Sequence, residues 1–157
     1  MKYAKMEHKG RRITLAVIEA ITGVGAVGGG IAILAGAFNQ WLPLEWLQGT
    51  PFSDYTIPGL TLLVIIGGGM LLAAATQFIR REWAVLFSAV MGLVMIGFEI
   101  VEIAVINRFE QAMVPSTIAQ QVLFLTVGLM IFVLSASLWM AEYQHRHVPT
   151  TTPGTLA

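Results

Sequence analysis

Polar and apolar positions along this chain fall into long blocks, with no residue-by-residue alternation. Apolar residues dominate 13–38, interrupted by a single acid, Glu19. A second block covers 58–79 without any charged residue, a third covers 83–106 with Glu99 and Glu102, and a fourth covers 117–140, again uncharged. A helix needs roughly 20 apolar residues to cross about 30 Å of hydrocarbon. A membrane barrel would instead show segments of roughly ten residues with alternating character. The pattern therefore predicts an all-α membrane protein, a compact antiparallel four-helix transmembrane bundle with helices at about 13–38, 58–79, 83–106 and 117–140. Short connections force sequential helices to be antiparallel neighbours.

The polar blocks between these runs predict the rest of the organisation. Residues 1–12 form a basic arm with Lys2, Lys5, Lys9, Arg11 and Arg12. A basic start followed by an apolar run, with Ala35-Gly36-Ala37 imitating a cleavage site, suggests a signal peptide. The run is far longer than the roughly 7–15 apolar residues of such a segment, so it is read as the first span. Residues 39–57 form the longest connection. Trp41, Trp46, Phe52 and Tyr55 place it at headgroup level, as an interfacial aromatic loop with a short helix near 44–48 broken by Gly49-Thr50-Pro51. Asp54 or Thr56 can cap the next helix, with Pro58 tolerated in its first turn. Arg80-Arg81-Glu82 makes a tight turn, 107–115 connects the last two spans, and Ser116 is placed to cap the fourth. The membrane domain is thus 13–141. Residues 142–157 form a polar, largely disordered tail, because the run after Val148 is rich in threonine and proline.

Charge changes the picture through its position. The 157 residues carry a formal net charge of zero, are 11% charged and 56% hydrophobic, and include no cysteine. Soluble domains are roughly 25% charged. A basic surface for nucleic acid is absent, as are disulfides, thiol nucleophiles and cysteine metal sites. The spans leave no length for a soluble catalytic domain. Lysine and arginine concentrate in the arm, in the Arg80-Arg81 turn and at Arg146, whereas Arg108 stands alone on the other side. That asymmetry predicts both termini in the cytoplasm of a bacterial inner membrane, with the aromatic loop extracytoplasmic.

Small residues predict how the spans approach one another. The first has Gly25 and Gly29, with Gly28, Ala32 and Gly36 on a neighbouring stripe. The second has Gly67, Gly68, Gly69 and Ala73, the third Ala84, Ser88 and Gly92, the fourth Gly128, Ser135 and Ala136. These stripes serve either packing within the bundle or a seam with a second copy or another membrane protein. Gly23-Val24-Gly25-Ala26-Val27-Gly28 matches a dinucleotide-binding pattern, but that pattern works only after a strand and in water.

Candidate chemistry rests on the intramembrane acids. Glu99 and Glu102 share a helix face, about two turns and one turn from the outer end of the third span. Gln120, Gln121, Thr61 and Thr126 fall at similar depths, which predicts a polar ligand- or proton-binding cluster in the outer half with Trp41, Trp46, Phe52 and Tyr55 as its lid. Two carboxylates so close do not both ionise in a dry site without a cation or Arg108 to compensate. The plain structural alternative is a hydrogen-bonded pair that pins the third helix to the fourth. Glu19, two turns in from the opposite face, is a secondary candidate that can pair with Arg12 or Arg80 or bond Gln77. His145 and His147 flank Arg146 in the tail and lack a complete ligand set, so neither metal nor any other cofactor is expected. No span contains histidine, which argues against haem, and no hydrolytic triad or phosphate loop is present.

Phe52-Ser53-Asp54-Tyr55-Thr56-Ile57-Pro58-Gly59-Leu60, set just before an apolar helix, resembles a stretch of small uncharacterised bacterial four-helix membrane proteins of unknown function. Ala16-Val17-Ile18-Glu19-Ala20-Ile21 faintly resembles the glutamate-bearing first helix of small multidrug resistance transporters, as an analogy without their later motifs. The resulting expectation is a membrane protein that binds a small ligand, proton or cation around Glu99 and Glu102, with transport as one use of such a site. A structural or accessory subunit docking through glycine-rich faces is the alternative. A membrane enzyme acting on a lipid-soluble substrate is the third and least favoured reading.

Overall fold

The computed structural model describes residues 2–79, 81–108 and 115–142, with side chains described from residue 10 onward. Four helices dominate it: α1 (Lys2–Leu34), α2 (Thr56–Ile79), α3 (Glu82–Ile106) and α4 (Pro115–Glu142). No strand occurs among the described residues. The shortest helix, α2, has 24 residues, about 36 Å at 1.5 Å per residue, enough to cross a bilayer. All four contain a window apolar enough to do so, within Gly10–Leu34 for α1. The chain is a multi-pass membrane protein.

Consecutive helices pack side by side and α1 meets α4 to close the ring. The seams of α1 with α2 and of α3 with α4 are the most extensive, and backbone approach explains both. A Cβ on Gly30 would stand 2.7 Å from the Leu63 backbone nitrogen, and one on Gly92 would stand 2.8 Å from that of Phe132. Only glycine fits such crossings. Leu15, Ile66, Met70, Val85, Ile131 and Leu138 fill the centre. Ile21, Val24, Val64, Leu72 and Val101 point outward, as residues facing lipid must.

The α1 stripe divides in a way its spacing does not reveal. Gly23 and Gly30 are buried against α2, whereas Cβ atoms on Gly25 and Gly28 would meet nothing within 4 Å. Gly29 is intermediate, 3.3 Å from Leu62 Cδ2.

Helix ends depart from the sequence expectation for local reasons. α1 includes most of the basic arm and stops at Leu34, short of residue 38. Gly36 takes φ +72°, its N–H donates to the Ile33 carbonyl at 3.0 Å, and the Ala37 N–H reaches back to that of Ala32 at 2.9 Å. This paired closure is the glycine stop that ends many helices. The Ala35-Gly36-Ala37 stretch that imitates a cleavage site is thus the terminator of α1. At α4, Ser116 lies inside the first turn and does not cap it, since the helix already includes Pro115, whose fixed φ and missing N–H suit an early helical position. The middle of α2, Thr61–Gly68, is wound as a wider π-type helix.

The 35–55 connection ties itself down. Its short helix is a 3-10 turn at Leu44–Leu47. Thr50 Oγ1 donates to the Leu47 carbonyl at 2.7 Å and Tyr55 Oη to that of Pro43 at 3.0 Å. Leu47 is buried and its turn packs on α3. Asp54 accepts the Thr56 N–H at 2.8 Å, which starts α2 and holds the Asp54 carboxyl below its ordinary pKa.

Candidate functional site

The buried stripe of α3 runs Ala84, Ser88, Met91, Gly92, Met95, Glu99. Steps of three and four residues keep one face toward the bundle, and Glu99 continues that face by one more turn. It is 1% exposed, and its Oε1 has no hydrogen-bond partner. Glu102, the next acid on the face, is half-buried and near enough to act on Glu99 electrostatically. A buried acceptor without a donor costs about 1–3 kcal/mol, and more when charged.

The predicted neighbours separate. Gln121 is buried and donates from Nε2 to Asn107 Oδ1 at 3.1 Å, bridging α4 to the end of α3. Gln120 is exposed on α4. Thr126 is exposed and donates to the Val122 carbonyl at 2.7 Å, and half-buried Thr61 donates likewise to that of Ile57 at 2.9 Å. Both hydroxyls are thereby spent on their own helices. In the aromatic loop Trp46, Phe52 and Tyr55 are half-buried, while Trp41 is 74% exposed. The buried anchor of the loop is Leu47. Arg108 donates to the Ala104 carbonyl at 2.9 Å and approaches Gly49, with 3.6 Å from its guanidinium to where a Gly49 Cβ would stand. Asn107 and Leu47 were not singled out from sequence. Asn107 follows an apolar helix as any connecting residue would, and Leu47 is one of several apolar loop residues.

At the end of the bundle that holds Arg12 and Glu142, a second polar cluster draws on all four helices. Arg12 Nη2 meets Glu142 Oε2 at 2.6 Å, and Arg12 Nη1 donates to the Gln77 carbonyl at 3.4 Å. Gln77 Nε2 donates to Ser88 Oγ at 2.5 Å. Glu19 is fully buried beside Ser88, yet neither of its oxygens has a hydrogen-bond partner. Arg12 therefore serves Glu142, not Glu19, and the alternative partner Arg80 lies outside the described residues, as do His145 and His147. Nearby, Trp139 Nε1 donates to Glu82 Oε1 at 2.8 Å, fastening the start of α3 to the end of α4.

Among the described residues no cluster of three or more histidine, aspartate or glutamate side chains could hold a metal ion. No protein-family model, curated protein or solved structure matches the chain.

Proposed function

We propose that this protein binds a small ligand, proton or cation in the outer half of its bundle, around Glu99 and Glu102, in a bacterial inner membrane with both termini cytoplasmic. The reading rests on Glu99: a carboxyl 1% exposed, with Oε1 lacking a donor and a second acid on the same face. Intramembrane acids are costly and mark substrate, ion or proton paths by default. Gln121 and Asn107 supply fixed dipoles at the same end, and the loop whose Leu44–Leu47 turn packs on α3 would serve as its cover. Thr61, Thr126 and Gln120 take at most a peripheral part. Transport would be the use of this site by a bundle that opens it to both sides.

The test is thermal unfolding of the purified protein in detergent, titrated with tetraethylammonium as a model organic cation. Stabilisation that is lost in both Glu99→Gln and Glu102→Gln while the helical content stays intact is the expected result. Unchanged stabilisation in the two variants, or none in the parent, would overturn the reading.

One observation favours a second function. Gly25 and Gly28 face outward with open space beside them, on the helix whose span is the least buried of the four. Small residues on a lipid-facing side suit close approach of another membrane helix. An accessory subunit would lose a co-purifying membrane partner on Gly25→Leu with Gly28→Leu, yet keep it in the Glu99 and Glu102 variants.

A further inference from the structure

Among the described residues, the buried side-chain atoms left without a hydrogen-bond partner are Glu19 Oε1 and Oε2, Gln77 Oε1 and Glu99 Oε1. All are oxygens and none is a donor, so the deficit is one of positive charge or protons. Three of them belong to Glu19 and Gln77, both of which surround the Ser88 hydroxyl. Glu19, Gln77 and Ser88 are each no more than 1% exposed. Ser88 already accepts from Gln77 Nε2 and has a single proton to give, so it can serve one Glu19 oxygen and no more. Arg12, two turns earlier on α1, is directed to Glu142 and the Gln77 carbonyl. The other charged groups described at this end are Arg11, Arg81 and Glu82, of which Glu82 accepts from Trp139.

We propose that Glu19, Gln77 and Ser88 form a second site, for one monovalent cation, in the half of the bundle next to Arg12 and Glu142. The carboxylate supplies the one negative charge. Gln77 Oε1 and Ser88 Oγ supply neutral oxygens from α2 and α3. Hard cations seek such oxygens, and a single carboxylate matches a single positive charge better than a divalent ion. The occupant is either an alkali ion or a proton, since both deliver one positive charge to the same acceptors. The Arg12–Glu142 ion pair closes the site on its own side, because Arg12 also grips the backbone of Gln77. This site is separate in depth from Glu99 and does not depend on the outer one.

The experiment compares thermal unfolding in sodium chloride and in choline chloride, together with the infrared carbonyl band of protonated carboxyl groups, in the parent, Glu19→Gln, Ser88→Ala and Glu99→Gln. An alkali-ion site predicts a sodium-dependent rise in Tm on the order of 5 °C at saturation. The rise is lost in Glu19→Gln, needs more sodium in Ser88→Ala and persists in Glu99→Gln. A proton site predicts no sodium effect, but a protonated-carboxyl band that disappears in Glu19→Gln and shifts in Ser88→Ala. Glutamine is close in shape to a protonated glutamate, so Glu19→Gln folds. If sodium leaves Tm unchanged and Glu19→Gln leaves the band unchanged, or if a sodium effect survives Glu19→Gln intact, the proposal fails.

Discussion

The two ends of the bundle handle buried acids differently. At the end that holds Arg12 and Glu142, those two side chains meet at 2.6 Å across two helices, while Glu19, beside Ser88, keeps both oxygens without a hydrogen-bond partner. At the loop end, Glu99 and Glu102 belong to one helix, the nearest described cation, Arg108, is turned to its own backbone, and Gln121 is spent on Asn107. The first arrangement joins helices through charge compensation. The second gathers carboxyl groups on one face. An ion pair across two helices compensates both charges, whereas two neighbouring acids on one helix disfavour each other's ionisation.

Removing Arg12 gives the largest expected effect. Arg12→Ala removes the guanidinium 2.6 Å from Glu142, with only 18% of that side chain exposed, and the donor to the Gln77 carbonyl. Breaking a buried pair from one side costs about 3–5 kcal/mol, so a large drop in Tm in detergent is expected. A loss no greater than that of an ordinary surface substitution would show that this end is not held by charge.

Neutralising an acid at each end should give opposite signs. Glu142→Gln removes the carboxylate 2.6 Å from Arg12 and destabilises by about 2 kcal/mol or more. Glu102→Gln removes the second carboxyl beside Glu99, and is expected to be neutral or stabilising. Equal destabilisation by the two substitutions, followed by thermal unfolding side by side, would erase the distinction between the ends.

How much of this was legible in the chain follows from the range of each interaction. The four spans were, because apolar length alone dictates them. Glu99, Glu102 and Glu19 stood out as acids in apolar runs. Arg12–Glu142 did not, because its partners are separated by almost the whole sequence and meet only once α1 and α4 close the ring. The rotation of each helix was also hidden: Gln120 and Gln121 are equally polar and equally deep, and only packing turns one inward and the other out. The choice of Gly23 and Gly30 over Gly25 for the α2 seam has the same origin. Gly36 was visible but misleading, since a helix stop and a cleavage site draw on the same small residues.

That rotation yields a smaller test. Gln121→Ala removes the bond to Asn107 and should cost about 1 kcal/mol, while Gln120→Ala, on the exposed face, should stay within about 0.5 kcal/mol of the parent. Similar values for both would mean that α4 does not present Gln121 to the end of α3, and the dipoles assigned to the outer site would go with it.

The smallest effect concerns an acid outside the membrane, which shows what the buried acids lack. Asp54 is exposed and accepts the Thr56 N–H at 2.8 Å, so its charged form is hydrated and also bonded at the start of α2. That bond lowers its pKa. A depressed carboxyl contributes stability that is fully present above its unfolded value, about 3.9, and is lost as pH falls through its lower folded value. Protection of the Thr56 amide from hydrogen exchange, corrected for the intrinsic exchange rate, should therefore decline in acid. In Asp54→Asn the side-chain acceptor remains but the titration is gone, so protection should no longer depend on pH there. A parent whose Thr56 protection is as insensitive to acid as that of Asp54→Asn would show that the carboxylate charge adds nothing to this start. Glu99 has the same functional group, but it is 1% exposed and its Oε1 accepts no hydrogen bond, so burial opposes the charged form that exposure and a backbone donor support at Asp54.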